Sequence, residues 1–331
     1  MQRRTILAGL PGILGAGTLG RPALAQLGFP ERPLRLVVGF APGGPTDLVA
    51  RVAARTMSAA LGQTVVVENR PGASGGVAAG LVARAPADGY TLLVNVVADV
   101  VNPVIEPATR EPLLKSLAPV ALVGTAPNVL VLHPSLGANG VAEVVEIAKR
   151  RPGTVSYASA GVGTVSHLSG VLLSAVSGAE MIHVPYNGTA AAQTDLLTGR
   201  ISMMFDNLDN GLSNARAGKL KAVAVTGQSR WFAAPEVPTM ADAGFPGSEM
   251  LSVFGVMAPV GTPTPIVERL AAGLVEGSRT EATRQSLHQI SIEPASMGPA
   301  EYGGYIAAET ARWEALAAQG RLGEAAGRRP Q

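Results

Sequence analysis

Leu36 to Arg51, LVVGFAPGGPTDLVAR, reads as a buried strand, a glycine-rich turn and the first turns of a helix. Leu36, Val37 and Val38 form a short apolar run, and Ala41-Pro42-Gly43-Gly44 interrupts it. Thr46 or Asp47 is then placed to cap a helix whose apolar positions follow at Leu48, Val49 and Val52. A helix that begins at a strand's carboxyl end points unpaired backbone N–H groups into the crevice above the sheet. Those donors and the positive end of the helix dipole suit an anion such as a carboxylate or a phosphate. Pro42 offers no N–H, Pro45 precedes the capping pair, and the two glycines let a ligand come close to the backbone. By itself the stretch fits an anion cradle and an ordinary capped turn equally.

Upstream of it, Arg3-Arg4, the mostly apolar Thr5 to Gly20 and the small residues Ala23-Leu24-Ala25 have the layout of a secretory signal removed before Gln26. The arginine pair leaves the general and the twin-arginine export routes both open. The apolar run is short and rich in Gly and Pro for a membrane span, and no other run of about 18 apolar residues follows. A soluble mature chain in the periplasm is expected. Losing residues 1–25 removes Arg3, Arg4 and Arg21 and no acid, so 26 basic residues against 24 acidic become 23 against 24. The formal net charge moves from +2 to −1.

The mature chain of about 300 residues is long enough for two domains. With 47% hydrophobic and only 15% charged residues, it favours short buried strands and tight turns over long solvated helices. No basic stripe with interleaved aromatics points to nucleic acid. The absence of cysteine excludes disulfides and thiolate metal sites, and no cofactor is implied.

Downstream, Thr64 to Glu68 reads as a second strand, Asn69 to Gly76 as a second glycine-rich turn, Val77 to Ala85 as a helix and Thr91 to Val97 as a third strand. Pro103, Pro107 and Pro112 exclude one continuous helix over residues 98–117. Val120 to His133 has two apolar halves around Gly124-Thr125-Ala126-Pro127 and reads as one chain crossing between domains. The βα pattern then restarts. Helices are expected at Val141 to Arg150, Val165 to Val176 and Ala190 to Leu197, with strands at Val155 to Tyr157, Ile182 to Tyr186, Ile201 to Phe205 and Ala222 to Thr226. Phe254 to Pro259 is a plausible return crossing, Thr264 to Glu276 begins the closing helices, and the tail after Gly320 is polar. The expected fold is therefore α/β, with two doubly wound lobes joined by crossing strands. Residues 26–126 and 251–331 would make a discontinuous first lobe, and 127–250 the second.

Three loops each follow a strand and open a helix: Pro42 to Asp47, Pro71 to Gly76 and Ser159 to Thr164. Here the chain resembles a known family. FAPGGPTDLVAR, VENRPGASGGVAA, PADGYTLL, YASAGVGTVSHL, HVPYNGTAAAQTDLLTGRISMMFDN, and KLKAVAVT followed by PEVPTMADAGFPG stand in the order found in the extracytoplasmic solute-binding proteins of tripartite tricarboxylate transporters, the Bug family. The resemblance spans nearly the whole mature chain. It implies a flytrap of type II periplasmic-binding-protein architecture, working as a monomer, that holds a small organic anion between its lobes for delivery to membrane permease subunits. Carried over residue by residue, it implies ligand-binding roles for Gly43, Gly44, Thr46 and Asp47, with Ala73 and Ser74 lining the site. From the second lobe it implies Ser159, Gly161, Gly163, Thr164 and His167, with Asp206 as a polar partner or amine acceptor.

Several of these residues have plainer readings. Asp47 suits a helix cap that shapes its loop, since a carboxylate facing an anionic ligand would repel it. His167 suits packing on its helix, Asp206 suits bonds to turn N–H groups, and Met203-Met204 suit a core strand; Trp231 and Trp313 receive no role. The chain departs from the family at Val77 and Val162, where polar residues are usual, and at Glu106 and Arg110-Glu111. Those changes bear on the ligand more than on the fold.

Two other function classes compete. A ligand-dependent partner of a membrane sensor would need the same lobe closure. A secreted hydrolase would need a nucleophile, yet there is no G-x-S-x-G elbow, no phosphate-binding G-x-x-x-x-G-K-[ST] and no H-E-x-x-H. His133, His167, His183 and His288 show no metal-ligand spacing. Ser159 with His167 lacks both the elbow and an orienting acid.

Overall fold

The computed structural model describes residues 28–105, 107 and 112–320. The signal segment, Glu106, Arg110, Glu111 and the tail after Gly320 lie outside the described residues. The chain opens with β1 (Leu34–Val38), α1 (Pro45–Leu61), β2 (Val65–Asn69), α2 (Gly76–Ala83) and β3 (Thr91–Val96). β1 pairs in parallel with β2 on one side and β3 on the other, so its Leu36, Val37 and Val38 are fully buried. Glycine ends α1: Gly62 takes a left-handed φ of 68° and returns its N–H to the Ser58 carbonyl.

α3 (Val97–Ile105) follows β3 without a loop, runs through Pro103 and stops two residues later. A short α4 (Leu113–Ser116) leads into β4 (Leu117–Leu132), the longest strand among the described residues. Next come α5 (Val141–Arg150), β5 (Ser156–Ser159), α6 (Val165–Ser177), β6 (Ile182–Pro185), α7 (Thr189–Leu197), β7 (Met203–Asn207), α8 (Leu208–Arg216) and β8 (Lys221–Val225). The chain returns through β9 (Leu251–Pro259), α9 (Thr264–Ser278), α10 (Glu281–His288), β10 (Glu293–Met297) and α11 (Pro299–Ala318).

One mixed sheet, in the order β2-β1-β3-β9-β4-β7-β5-β6, holds these strands, with β8 and β10 both attached to β4. β4 belongs to both halves. Its Leu117–Pro127 portion lies antiparallel to β9, while Asn128–Leu132 lie antiparallel to β7. The outer βα units are parallel, as the sequence pattern implies. The centre is antiparallel because the two crossing strands run in opposite directions. The return strand also starts earlier than its apolar run suggests, at Leu251.

Separate apolar layers cover the faces. α1, α9 and α10 close one face of the first half through Val49, Met57, Leu270, Leu274 and Leu287. α2, α3 and α11 close the other through Val82, Val101, Tyr302 and Trp313. Leu168 and Leu172 of α6 join that second layer, whereas Leu173 faces the core of the other half. Each such fully buried leucine contributes roughly 1.5–3 kcal/mol. α6 thus ties the two halves together behind the site. No helix among the described residues is long and apolar enough to cross a membrane.

Candidate functional site

A cavity of about 360 Å³ opens between the two halves of the sheet. The first half contributes Phe40 to Thr46 and the β3–α3 junction, Val96 to Ala98; Asn128 and Ser252 come from the crossing strands. The second half contributes three strand-to-helix junctions: Ala160 with Thr164 to Ser166, Asn187 to Ala190 with Gln193, and Asn207 with Asn210. Each junction points helix N-terminal N–H groups at the same space, the arrangement expected where α/β sheets bind ligands.

At the first junction the helix cap differs from the expectation. Gly44 is the N-cap, with extended φ and ψ of −79° and 167°, and Pro45 is the first helical residue. Neither Thr46 nor Asp47 caps, because a proline at the first helical position puts the boundary two to three residues before the polar pair. Asp47, the third helical residue, turns back into the protein. Its Oδ2 accepts the Gly43 N–H at 3.0 Å, and its two oxygens also take Arg51 Nε at 2.8 Å, Arg51 Nη2 at 3.1 Å and Asn69 Nδ2 at 2.9 Å. Burial pushes this carboxyl's pKa up, but the bonds from Arg51, the Gly43 N–H and Asn69 outweigh it and leave the pKa below the usual value. Its carboxylate therefore shapes the loop from behind. Among the described residues the N–H groups of Gly44, Thr46 and Asp47 have no backbone acceptor, and Gly43, Gly44 and Thr46 line the cavity.

Around Ser159 to Thr164 the polar groups brace one another. Ser159 is fully buried; its Oγ lies 2.6 Å from His183 Nε2 and accepts the Gly161 N–H at 3.2 Å. His167 is buried, its Nδ1 accepts the Gly163 N–H at 3.1 Å, and its ring stacks on His183 with centroids 4.0 Å apart. Burial, helped by the neighbouring His183, takes the His167 pKa down to about 3; burial takes His183 down to about 4. Both rings are therefore neutral at pH 7. Thr164 is the N-cap of α6 and donates its hydroxyl to the Gly161 carbonyl at 2.6 Å. Of the residues singled out in this loop, Thr164 reaches the cavity wall, while Ser159, Gly161, Gly163 and His167 form the layer behind it.

Asp206 at the end of β7 is also completely buried. Its Oδ1 accepts the Asn207 N–H at 2.7 Å and its Oδ2 accepts Gln193 Nε2 at 2.7 Å. Burial raises its pKa to about 6 against the opposing effect of those two bonds. It meets the cavity through Gln193. Ala73 and Ser74 take left-handed φ values of 49° and 50° and lie off the cavity wall. Ser74 instead faces the Gly161 loop, where a Cβ on Gly161 would lie 2.8 Å from Ser74 Oγ. Val77 and Val162 are also off the wall, so these two departures from the family pattern lie outside the cavity. Met204 is buried as expected and lines the cavity too.

The sequence reading passed over Asn128, Asn187, Thr189, Gln193, Asn207 and Asn210 as site residues. Asn187-Gly188-Thr189 carries the available signal, since it is a strand-to-helix turn like Pro42 to Asp47, Pro71 to Gly76 and Ser159 to Thr164. Among the described residues no ionisable side chain lines the cavity, and apolar side chains such as Phe40, Val97, Val165 and Phe254 make much of its wall. An anion here would be held by N–H and hydroxyl donors and by helix dipoles, with its carbon skeleton on apolar surface. Among the described residues no group of three or more His, Asp or Glu is placed to hold a metal. The Ser159–His183 pair is sealed from the cavity, and no acid bonds to His183 among the described residues. This is not the geometry of an activated nucleophile.

Comparison with known proteins agrees with this architecture. Residues 49–322 match the family model described as the tripartite tricarboxylate transporter family receptor. The chain is 35% identical over 315 residues to Protein BugT of Bordetella pertussis, covering 95% of this chain and 96% of that one. Among solved structures, Rpa4515 of R. palustris with adipate is 35% identical with a TM-score of 0.81, covering 90% of this chain and 98% of that one. MatC from Rhodopseudomonas palustris with bound malate is 33% identical with a TM-score of 0.80, covering 87% and 99%. The chain belongs to the tripartite tricarboxylate transporter receptor family, the Bug-type periplasmic solute-binding proteins.

Proposed function

We propose that this protein captures a small organic carboxylate between its two lobes in the periplasm and presents it, as a monomer, to the permease subunits of a tripartite tricarboxylate-type transporter. One observation carries the reading: among the described residues, the N–H groups at the start of α1 have no backbone acceptor and share with Thr164, Ser166 and Thr189 a cavity whose wall bears no competing charge. The lobes would comprise residues 26–126 with 251–331, and 127–250, hinged where β4 changes partners between Pro127 and Asn128. The first lobe would bind through Gly44, Thr46 and the Asp47 N–H, the second through Thr164. Asp47, Ser159, Gly161, Gly163, His167 and Asp206 would hold those groups in place. Bound adipate and malate in relatives of the same fold support a carboxylate as the ligand class. We read the protein as a binder without catalytic activity, because its buried Ser159–His183 pair has no access to the cavity.

Charge-assisted bonds contribute roughly 1.5–3 kcal/mol each. Three or four of them, less ordering costs, reach the ~8 kcal/mol of a micromolar complex. Closure then follows if the ligand binds the closed form more tightly than the open one. The test is a thermal-shift screen of refolded, ligand-stripped mature protein against mono-, di- and tricarboxylates, amino acids and their amides. A carboxylate at 100 times its dissociation constant should add about 2.7 kcal/mol, a rise of about 4 °C for a chain of this size. A response confined to uncharged compounds would refute the anion cradle.

A further inference from the structure

The second-lobe wall is built around a buried negative charge. Asp206 has no exposure, and its two oxygens are filled by the Asn207 N–H and by Gln193 Nε2, both at 2.7 Å. An ionised carboxylate only accepts hydrogen bonds, so it fixes the Gln193 amide with nitrogen inward and oxygen turned away from Asp206. Gln193 lies on the cavity wall, partly exposed, and no protein donor reaches its oxygen among the described residues. Beside it, Asn207 directs its own Nδ2 to Thr189 Oγ1 at 3.3 Å, which leaves a second amide oxygen on the same wall. Among the described residues no cationic side chain lines the cavity to offset these lone pairs. A carboxylate placed against them would face two acceptors with the Asp206 charge behind, whereas a hydroxyl or an amide N–H would satisfy them.

We propose that Gln193, positioned by Asp206, is a specificity-determining residue that selects carboxylates whose far end carries an uncharged hydrogen-bond donor over the matching dicarboxylates. This rests on the carboxylate reading above, with the carboxylate end held at α1. The discrimination comes from leaving acceptors unpaired and crowding like charges, an effect of about tenfold or more in affinity.

The experiment is isothermal titration of the ligand-stripped mature protein with three matched pairs: succinate and succinamate, glutarate and glutaramate, adipate and adipamate. At the best-fitting length the half-amide should bind at least about tenfold more tightly than the diacid. Gln193→Met keeps the side-chain length but removes the acceptor, and should collapse that ratio. Asp206→Asn, which lets the Gln193 amide turn over, should also shrink it. Tighter binding of the diacid at every length, or a ratio that Gln193→Met leaves unchanged, would overturn the assignment of Gln193 alone. Binding of neither member of any pair would instead overturn the carboxylate reading beneath it.

Discussion

The backbone N–H of Gly43 donates to Oδ2 of Asp47, 3.0 Å away, so one donor of the glycine-rich turn is spent inside the protein. The remaining donors are positioned by that bond. Asp47 also holds Asn69 at the end of β2 and Arg51 one turn along the helix, and its side chain is 2% exposed against 49% for Arg51. Asp47→Ala removes the buried acceptor that Gly43, Arg51 and Asn69 share and should cost about 1–2 kcal/mol. Arg51→Ala should cost less than Asp47→Ala, because its charge is half solvated. Urea unfolding of both variants checks this, and equal losses would mean that Asp47 does not organise the loop.

Gly44 offers a cleaner probe of the site. Its φ of −79° is open to any residue, and a Cβ there would meet only the Ala41 carbonyl at 3.6 Å. Aspartate is, moreover, a favoured N-cap. Gly44→Asp should therefore fold with wild-type stability or a few tenths of a kcal/mol more, while placing a negative charge where the ligand's carboxylate belongs. Carboxylate affinity should fall at least about a hundredfold by titration calorimetry, the size of a like-charge contact in a poorly solvated cleft. A folded variant that binds as tightly as wild type would remove α1 from the site. Gly43 cannot serve the same purpose, since its φ of 82° penalises any side chain.

How much of this was legible in the sequence depends on whether a signal was local. The strands, the glycine-rich turns and the crossing segment are written in runs of apolar residues punctuated by Gly and Pro, and those are short-range patterns. The role of Asp47 was half legible: a carboxylate near a helix start is a capping signal, but Pro45 decides that Gly44 is the cap. Ser159 was matched with His167 because they share a loop and helix. Its partner is His183, brought alongside by the parallel register that sets Tyr157 opposite His183 and Ser159 opposite Pro185. Gln193 left no trace at all. It reads as one polar residue in an alanine-rich helix, and its orientation exists only because β7 ends in a buried acid beside it.

Across the two halves, Gly163 meets Asn102 of α3. A Cβ at Gly163 would fall 1.7 Å from Asn102 Oδ1, and its φ of 75° is left-handed. Gly163→Ala should thus keep the lobes from meeting as they do here, weakening ligand binding about tenfold or more, and should add roughly 1 kcal/mol of backbone strain. Asn102→Ala in the same chain removes the clash but not the strain. Affinity should then recover while stability does not, a coupling that a double-mutant cycle measures directly. If Asn102→Ala restores nothing, the contact does not limit closure.

Stability between pH 7 and pH 5 should report the histidine stack. His167 and His183 have folded pKa values brought down from 6.5 to about 3 and about 4, by burial in both and by their mutual contact in His167. Below pH 6.5 the unfolded chain binds protons that the folded chain refuses, so their contribution is present above that pH and drains away as the pH falls. Asp206 acts in the opposite sense. Its folded pKa is raised from 3.8 to about 6, so the folded chain takes up the proton first and gains stability as the pH drops through 6. Asp47 and Glu68, whose pKa values are lowered, lose their contribution only below the ordinary carboxylate range. At pH 5 the balance is a loss of about 2 kcal/mol from His167 and about 1 from the partly exposed His183, offset by about 1 from Asp206. Unfolding by urea at the two pH values should therefore show a net loss of roughly 2 kcal/mol in the wild type and close to none in His167→Gln. His167→Gln keeps an acceptor for the Gly163 N–H but cannot charge. A wild-type profile that is flat from pH 7 to pH 5 would mean that the stack takes up protons in the folded protein, and that neutral histidines do not hold the second-lobe loop.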